Sequence, residues 1–212
     1  MIRGVIVEGM STAGKTSVFK ALKKLHNQLD NGVRTLLTIS EHYSQVLHSN
    51  HGVLETMKKE EHIQLLRRHV DYLEQQSNWI DSLGQMKSSH GIFFVLERFH
   101  VNHRAAFQDS LEISQLENQL LKLNARCLLL TLSKEAVGPR FIKSRGVAWE
   151  SYVLENHASE SEACQKFLEE QEKLRMVAKQ SLIPTLEINT DAADWESYAR
   201  QILVELNSLG MI

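Results

Sequence analysis

The feature that most constrains the fold is a series of five apolar runs, each about as long as a typical strand. They occupy residues 2–8, 33–40, 91–97, 126–132 and 182–188. Each run is nearly continuous in apolar residues, as in parallel strands that are covered on both faces. The stretches between them mix polar and apolar residues with helical spacing. The pattern therefore predicts a three-layer α/β domain with a five-stranded parallel sheet flanked by helices.

Length and composition favour a single domain over residues 1–212. The chain has only two prolines, Pro139 and Pro184, and no segment composed like a linker. The formal net charge is -2, so the basic excess of a nucleic-acid-binding protein is missing. The N-terminal apolar run is too short for a signal peptide or a membrane span, so a cytoplasmic location without membrane association is expected. Two cysteines, Cys127 and Cys164, are too few for a disulfide framework and lack the spacing of a metal site.

The first apolar run leads into GMSTAGKT at residues 9–16, which has the G-x-x-x-x-G-K-[ST] spacing of a phosphate-binding loop. Glycines let successive backbone N–H groups turn toward phosphate oxygens, and the helix that follows adds the positive end of its dipole. In this motif Lys15 reaches the terminal phosphates and the Thr16 hydroxyl ligates Mg²⁺. The motif thus predicts a P-loop NTP hydrolase fold that binds ATP. The residues predicted to bind ATP are Gly9, Met10, Ser11, Thr12, Ala13, Gly14, Lys15, Thr16 and Ser17.

The rest of the chain narrows the class of P-loop protein. A GTPase normally carries an N/T-K-x-D signature, and the sequence has no such tetrapeptide. Recombination and transport ATPases are longer than 212 residues. A compact domain with a long charged insertion before its last strand is typical of a small kinase.

An acid and an arginine, Glu97 and Arg98, follow the third apolar run. Ligands of open parallel sheets bind outside the carboxyl ends of the strands, where this pair is expected. The carboxylate can hold Mg²⁺ or accept a hydroxyl proton, and the guanidinium can bridge donor and acceptor phosphates. We therefore predict Thr16 and Glu97 as the metal ligands. The alternative is a solvated ion pair at the end of a strand.

Taken together, VEGMSTAGKT and VLERFH resemble the thymidylate kinase and deoxynucleoside kinase superfamily. Thymidylate kinases read D-R-Y or D-R-F after the third strand, and deoxynucleoside kinases often read E-R-S. The E-R-F of this chain lies between the two patterns. The resemblance implies a kinase that uses ATP and Mg²⁺, and it makes a homodimer possible.

The resemblance also implies a general base. Glu41 follows the second apolar run, where deoxynucleoside kinases place a glutamate that accepts the proton of the attacking hydroxyl. Those kinases usually have proline next, whereas this chain has His42. A helix N-cap or a solvated acid is the alternative interpretation of Glu41.

An acceptor site is implied by two further segments. LLRRHVDYL resembles the helix in which thymidylate kinases carry an arginine for the acceptor, so Arg67 and Arg68 are candidates. Gln64 could meet a base edge, and Asn102 and His103 could touch sugar or base. A solvated basic face is the alternative for the two arginines.

The segment from about 133 to 158 contains SKEAVGPRFIKSRG and resembles the helical lid of the same superfamily. There, arginines close over the donor phosphates and stabilise the charge that develops on the equatorial oxygens. Arg140 and Arg145 are the predicted lid arginines, although Arg145 comes one residue later than usual and Pro139 interrupts the lid helix. A basic helix on the surface is the alternative.

These features predict a kinase that transfers the γ-phosphate of ATP to a nucleoside or a nucleoside monophosphate. The residues expected to act in catalysis are Lys15, Glu41, Glu97, Arg98, Arg140 and Arg145. Two other functions stay open. One is a kinase for a non-nucleotide small molecule, and the other is a regulatory module that binds ATP without transferring phosphate.

Overall fold

The computed structural model describes residues 2–30, 34–50, 53–83 and 91–208. Within them are seven strands, β1 (Ile2–Gly9), β2 (Arg34–Ile39), β3 (Leu47–Asn50), β4 (Val53–Thr56), β5 (Gly91–Glu97), β6 (Ala125–Thr131) and β7 (Thr185–Asn189). The α-helices there are α1 (Lys15–Asp30), α2 (Lys59–Leu83), α3 (His100–Phe107), α4 (Leu111–Lys122), α5 (Lys134–Val137), α6 (Val147–Glu155), α7 (Glu160–Gln180) and α8 (Trp195–Ser208). None of these helices has both the length and the apolarity to cross a membrane.

The main sheet has five strands in the order β2-β5-β1-β6-β7, and every pair in it is parallel. The five predicted runs therefore form the five strands, and the predicted α/β fold is confirmed. Strand β1 lies at the centre, between β5 and β6. Because both of its neighbours are parallel to it, their carboxyl ends come to the same edge as the loop after β1.

Two apolar layers cover the sheet. One face packs against α2, α3, α4 and α7, through side chains such as Leu66, Leu116 and Leu174. The other face packs against α1 and α8, through Leu22 and Ile202 among others. This is the predicted three-layer arrangement, and it explains why the strands are apolar on both faces.

Gly4 shows how closely the central strands approach each other. It lies opposite Phe94 in the register of β1 with β5, and a Cβ at this position would lie 2.3 Å from Phe94 atoms. No real side chain has such a contact, so the space beside Gly4 belongs to the Phe94 ring. The glycine therefore lets β1 and β5 stay paired up to the edge where the candidate site lies.

The insertion between β2 and β5 contains an element that the sequence pattern did not reveal. The short strands β3 and β4 form an antiparallel pair, which precedes the 25-residue helix α2. In the predicted lid segment, α5 leads into a single π-helical stretch over Gly138–Ile142, and α6 follows. Pro139 lies in the first turn of that stretch, in agreement with the predicted interruption of the lid helix.

Candidate active site

The loop between β1 and α1 has the conformation that its glycines allow. Gly9 and Gly14 have φ values of +139° and +95°, which L side chains rarely adopt. A Cβ on Gly14 would lie 2.4 Å from the ring of Trp195, so there is no room for a side chain. The loop closes on itself where Ala13 N donates to Met10 O at 3.3 Å. Lys15 then begins α1, so the motif has the strand–loop–helix context that phosphate binding requires.

Lys15 curls back over the loop. Its Nζ donates to Met10 O at 3.0 Å and lies 3.8 Å from Glu41 Oε2. Burial, with the nearby Arg98 charge, lowers the pKa of Lys15 to about 8. The ammonium group is therefore already partly desolvated at the place where phosphates would bind.

The two predicted metal ligands lie together. Thr16 Oγ1 donates to Glu97 Oε1 at 3.5 Å, and Glu41 N donates to Glu97 Oε2 at 3.4 Å. Burial and the neighbouring Glu41 raise the pKa of Glu97. The described residues contain no group of three or more His, Cys, Asp or Glu side chains that could hold a metal. One hydroxyl and one carboxylate nevertheless fit Mg²⁺ at a phosphate site, because this ion takes one or two protein oxygens and completes its shell with phosphate and water.

Arg98 connects the loop with the acids. Its backbone has φ +52°, and its N–H donates to Val7 O at 3.0 Å, which ties the end of β5 to β1. The guanidinium donates from Nη2 to Ser11 Oγ at 3.0 Å, and its Nε lies 2.7 Å from Glu41 Oε2. Glu41 thus lies between the two cations Arg98 and Lys15.

Glu8 is a residue whose role the sequence did not reveal. Its Oε1 accepts hydrogen bonds from Phe99 N at 2.8 Å and Val101 N at 3.0 Å, and the side chain is buried. Burial raises the pKa of Glu8 to about 7, against the lowering effect of those two bonds. The carboxylate fixes the residues after Arg98 to the strand that leads into the loop.

The lid segment brings both predicted arginines to the same cleft. Arg140 donates from Nη1 to Thr190 O at 2.9 Å and from Nη2 to Thr12 O at 3.1 Å. Its guanidinium also lies 5.2 Å from the centre of the Trp195 ring. Arg145 lies 4.8 Å from the centre of the Trp149 ring. A cavity of about 260 Å³ lies between these elements, and its lining includes Lys15, Thr16, Glu41, Arg98, Arg140 and Arg145.

Trp195 was also missed by the sequence analysis, which gave it no role at the site. It packs against Gly14 and Arg140 at once, so it connects the phosphate loop with the lid segment. A tryptophan in the helical pattern near the C-terminus gives no local signal of such a contact.

The predicted acceptor residues do not line this cavity. Gln64 and Arg68 are exposed on α2. Arg67 and His69 are two positions apart and point about 160° from each other around the helix. His69 Nε2 donates to Tyr43 O at 2.7 Å, so His69 faces the segment after β2, whereas Arg67 is half-buried and its Nε atom is shielded from solvent.

Asn102 and His103 are both engaged within the protein. Asn102 Oδ1 accepts from Val46 N at 3.4 Å. His103 is fully buried, and its two ring nitrogens contact His62 and Asp109. Sequence reasoning therefore placed His103 near the site, whereas its ring lies in the interior and does not face the cleft.

A second cavity, of about 460 Å³, adjoins the loop on the side of Met10. Its apolar wall includes Met10, Phe141 and Phe167, and its polar groups are His157, Lys166, Glu169 and Glu170. Because Met10 O accepts the hydrogen bond from Lys15, this cavity begins next to the Lys15 ammonium group. Phe141 follows Arg140 in the chain, so the cavity also adjoins the lid arginine.

Comparisons with known proteins agree with this architecture. No protein-family model matches the chain, and no curated protein matches it significantly. Among solved structures, it is similar to the YorR protein from Bacillus subtilis, crystallised in complex with phosphorylated GDP. The identity is 14%, the alignment covers 97% of each chain, and the TM-score is 0.53. It is also similar to an unliganded sugar kinase from Janibacter sp. HTCC2649, with 14% identity over 98% of this chain and 95% of the other, and a TM-score of 0.51. The chain thus has the fold of P-loop kinases.

Proposed function

We propose that the protein is a phosphotransferase that moves the γ-phosphate of ATP to a small-molecule acceptor. The observation that carries this proposal is the shared cleft of Lys15, Thr16, Glu41, Arg98 and Arg140. A module that only binds ATP has no need of acids and lid arginines around the terminal phosphates. Phosphoryl transfer needs both, because catalysis consists of positioning and of stabilising negative charge.

Each residue has a role that its position supports. The loop amides and Lys15 hold the donor phosphates, and Arg98 and Arg140 stabilise the charge on the transferred group. Thr16 and Glu97 would hold Mg²⁺, which when bound neutralises charge on the phosphates. Glu41 accepts the proton of the attacking hydroxyl or orients it, since its carboxylate reaches into the cleft between two cations. Arg145, which lines the same cleft, adds a further positive charge from the lid.

For the acceptor we propose a nucleoside or a nucleoside monophosphate, bound in the cavity beside Met10. The aromatic side chains of Phe141 and Phe167 suit a flat ring such as a nucleobase. Lys166 already pairs with Glu162 at 3.2 Å, so an anionic group on the acceptor would compete with that carboxylate for it. The resemblance of VEGMSTAGKT and VLERFH to nucleoside and nucleotide kinases supports the same choice. By the same resemblance we propose a homodimer, which sedimentation would test.

A non-nucleotide alcohol is the second candidate for the acceptor. It is favoured by the positions of Gln64 and Arg68, which are exposed on α2 and do not line the cleft. If the acceptor were a nucleotide held as the resemblance implies, those side chains would face it.

The test is an assay of ADP formation with MgATP against nucleosides, nucleoside monophosphates and hydroxylated non-nucleotides. Product is confirmed by ³¹P NMR, and Lys15→Ala serves as the inactive control. Turnover on a nucleoside or monophosphate supports the proposal, and Phe141→Ala should then raise the KM for that acceptor more than the KM for ATP. Turnover only on a non-nucleotide alcohol supports the second candidate. ATP binding without turnover on any acceptor contradicts both and favours a regulatory module.

A further inference from the structure

A buried row of polar groups crosses the interior from the turn after α3 to the segment after β2. Asp109 Oδ2 lies 3.2 Å from His103 Nε2, and His103 Nδ1 lies 2.7 Å from His62 Nδ1. His62 Nε2 in turn lies 2.9 Å from Ser44 O. All four residues are buried, with exposed fractions between 0% and 6%. The row is therefore a chain of three hydrogen bonds without access to bulk water.

Counting protons along this row gives a definite result. Both ends accept only, because one is the carbonyl oxygen of Ser44 and the other is the carboxylate of Asp109. Three hydrogen bonds need three protons, whereas two neutral imidazoles carry one N–H each. If His62 donates to Ser44 O and His103 donates to Asp109, no hydrogen is left between the two rings. Two nitrogen lone pairs would then face each other at 2.7 Å, which is repulsive. The complete row holds one proton more than neutral rings supply.

Some of the charges around the two rings favour the extra proton, and others disfavour it. Asp109 favours the extra proton on His103, while Lys59, whose Nζ lies 3.6 Å from Asp109 Oδ1, disfavours it. Glu112, 3.6 Å from the same ammonium group, offsets Lys59 in part. Arg104 is bound to the backbone oxygen of Asp109 at 3.3 Å.

Packing opposes the extra charge. The ring of Phe107 packs against both imidazoles. Burial also lowers the pKa of His62 to about 4 and lowers that of His103. The hydrogen bonds of the row and the Asp109 carboxylate are what must hold the proton against this desolvation.

The row ends at the candidate active site. Ser44 is not only the last acceptor: its hydroxyl donates to the main-chain oxygen of Glu97, and its N–H donates to Glu41 O at 3.3 Å. Gln45 N also donates to Glu41 O, at 3.0 Å. Ser44 thus ties the 3₁₀ turn Glu41–Tyr43 to the carboxyl end of β5, and His62 holds Ser44 from the other side.

We propose that His62 and His103 share this extra proton at neutral pH and thereby position the turn that carries Glu41 against the end of β5. Both histidines are positioning residues, since neither touches the cleft. When the proton leaves, repulsion between two lone pairs replaces the bond between the rings, and this displaces His62 together with the Ser44 carbonyl that it still holds. The effect on turnover rests on the proposed phosphotransfer, whereas the protonation of the rings and the position of the turn do not.

Nuclear magnetic resonance of ¹⁵N-histidine-labelled protein tests the proton directly. Between pH 5 and pH 9 we expect one transition in which His62 and His103 change together, and below its midpoint a proton resides between their Nδ1 atoms. Signals are assigned with His62→Gln and His103→Gln, and His48→Gln, which alters a half-exposed histidine, is the matched control. If both rings carry their single proton on Nε2 throughout this range, the proposal is overturned.

Two further variants test the source of the transition. Asp109→Asn removes the counter-charge, so the midpoint should fall by about 1 pH unit or more. Lys59→Gln removes the opposing cation, so the midpoint should rise. A midpoint that neither variant moves contradicts the proposed proton site. Because only the second variant leaves the row intact, it remains informative if Asp109→Asn fails to fold.

The positioning role has its own readout. The backbone amide signals of Ser44, Gln45 and Arg98 should titrate with the same midpoint as the two rings, and Lys59→Gln should move all of them together. Once an acceptor is known, kcat at saturating ATP should fall at higher pH with this midpoint. A ring transition that these amides do not follow overturns the positioning role. If these amides follow the ring transition but the protein turns over no acceptor, the positioning proposal stands and only the proposed function is contradicted.

Discussion

Arg98 and Glu41 form an ion pair across the candidate site, with 2.7 Å between Nε and Oε2. The pair joins the end of β5 to the turn after β2, and Lys15 approaches the same carboxylate oxygen at 3.8 Å. In the proposed phosphotransferase, Glu41 would compete with phosphate for two cations, and it would also supply a carboxylate that accepts a proton. These two effects can be separated by a substitution that removes charge and keeps shape.

Glu41→Gln should lower turnover by about 10²-fold or more, as expected for a lost general base. ATP should bind at least as tightly as before, because Arg98 and Lys15 lose a competing anion. The measurement is kcat for the accepted substrate together with a calorimetric Kd for ATP. Glu60→Gln, an exposed acid in the first turn of α2, is the control and should leave both values unchanged. Full turnover by Glu41→Gln would contradict the assigned role.

Arg140 should be the more important of the cations in the lid segment. It bridges Thr12 O and Thr190 O and packs against Trp195, so it is held beside the phosphate loop. Arg140→Ala should reduce kcat by roughly 10³-fold, the lower range for an arginine that stabilises the transferred phosphoryl group. Arg140→Lys should recover little of it, because an ammonium group cannot replace the planar guanidinium fork.

The control for Arg140 is Lys143→Ala in the same segment. Lys143 is exposed and lies 3.5 Å from Glu160, so its loss should change turnover by less than about threefold. Equal losses in Arg140→Ala and Lys143→Ala would indicate a general effect of positive charge and would contradict a specific role for Arg140.

The sequence predicted those parts of the molecule that depend on patterns within a few neighbouring residues. The five strands follow from apolar runs, and the loop follows from the spacing of Gly9, Gly14 and Lys15, because both patterns lie within a few residues. Glu8 and Trp195 act on residues far away in the chain, such as Phe99 and Gly14, and no local pattern marks a contact of that kind.

The acceptor side was harder to predict for a related reason. His103 was expected near the acceptor because the segment after Arg98 resembles one that borders the acceptor site in nucleoside kinases, but α3 places its ring toward α2 and His62. The antiparallel pair β3 and β4 was missed because each strand has only four residues, too few for alternation to be distinguished from a loop.

The pKa of Lys15 predicts a pH dependence of ATP binding. In the folded protein it is about 8, below the value of 10.5 for a free lysine, so the ammonium group loses its proton as pH rises through 8. ATP binds the charged form, so the Kd should be nearly constant below pH 7 and should rise above pH 8, by up to about tenfold per pH unit. Binding at pH 8.5 should take up protons, which calorimetry in buffers of different ionisation enthalpy measures.

Two variants serve as controls for this measurement. Lys15→Met should bind ATP weakly at every pH and take up no protons at this site. Lys20→Met, which removes an exposed lysine from the same helix, should behave like the unaltered protein. Binding that is independent of pH up to 9.5 would contradict a lowered pKa for Lys15.

Arg104 and Glu117 form a buried ion pair that should contribute to stability rather than to chemistry. Arg104 donates from Nε and Nη2 to the two carboxylate oxygens at 2.7 and 2.8 Å, and Leu182 N donates to the same carboxylate at 3.0 Å. Removing one partner leaves an uncompensated buried charge, so Arg104→Met should lower the free energy of unfolding by about 3–5 kcal/mol. Lys24→Met, which breaks the exposed pair of Lys24 with Glu196, should cost less than about 1 kcal/mol.

Lowering the pH should remove the stabilising effect of the Glu117 charge. Burial is the largest single effect and raises the pKa of Glu117, but the hydrogen bonds from Arg104 and Leu182 and the neighbouring positive charges together outweigh it, so the net pKa in the folded protein is lowered from 4.5. A carboxyl group with a lowered pKa stabilises the fold above its unfolded pKa and loses that effect as pH falls through the folded value. Urea unfolding should therefore show a large deficit for Glu117→Gln at pH 7 and a smaller one as pH falls below about 4.5. A deficit that stays constant down to pH 3 would mean that Glu117 acts through packing and not through its charge.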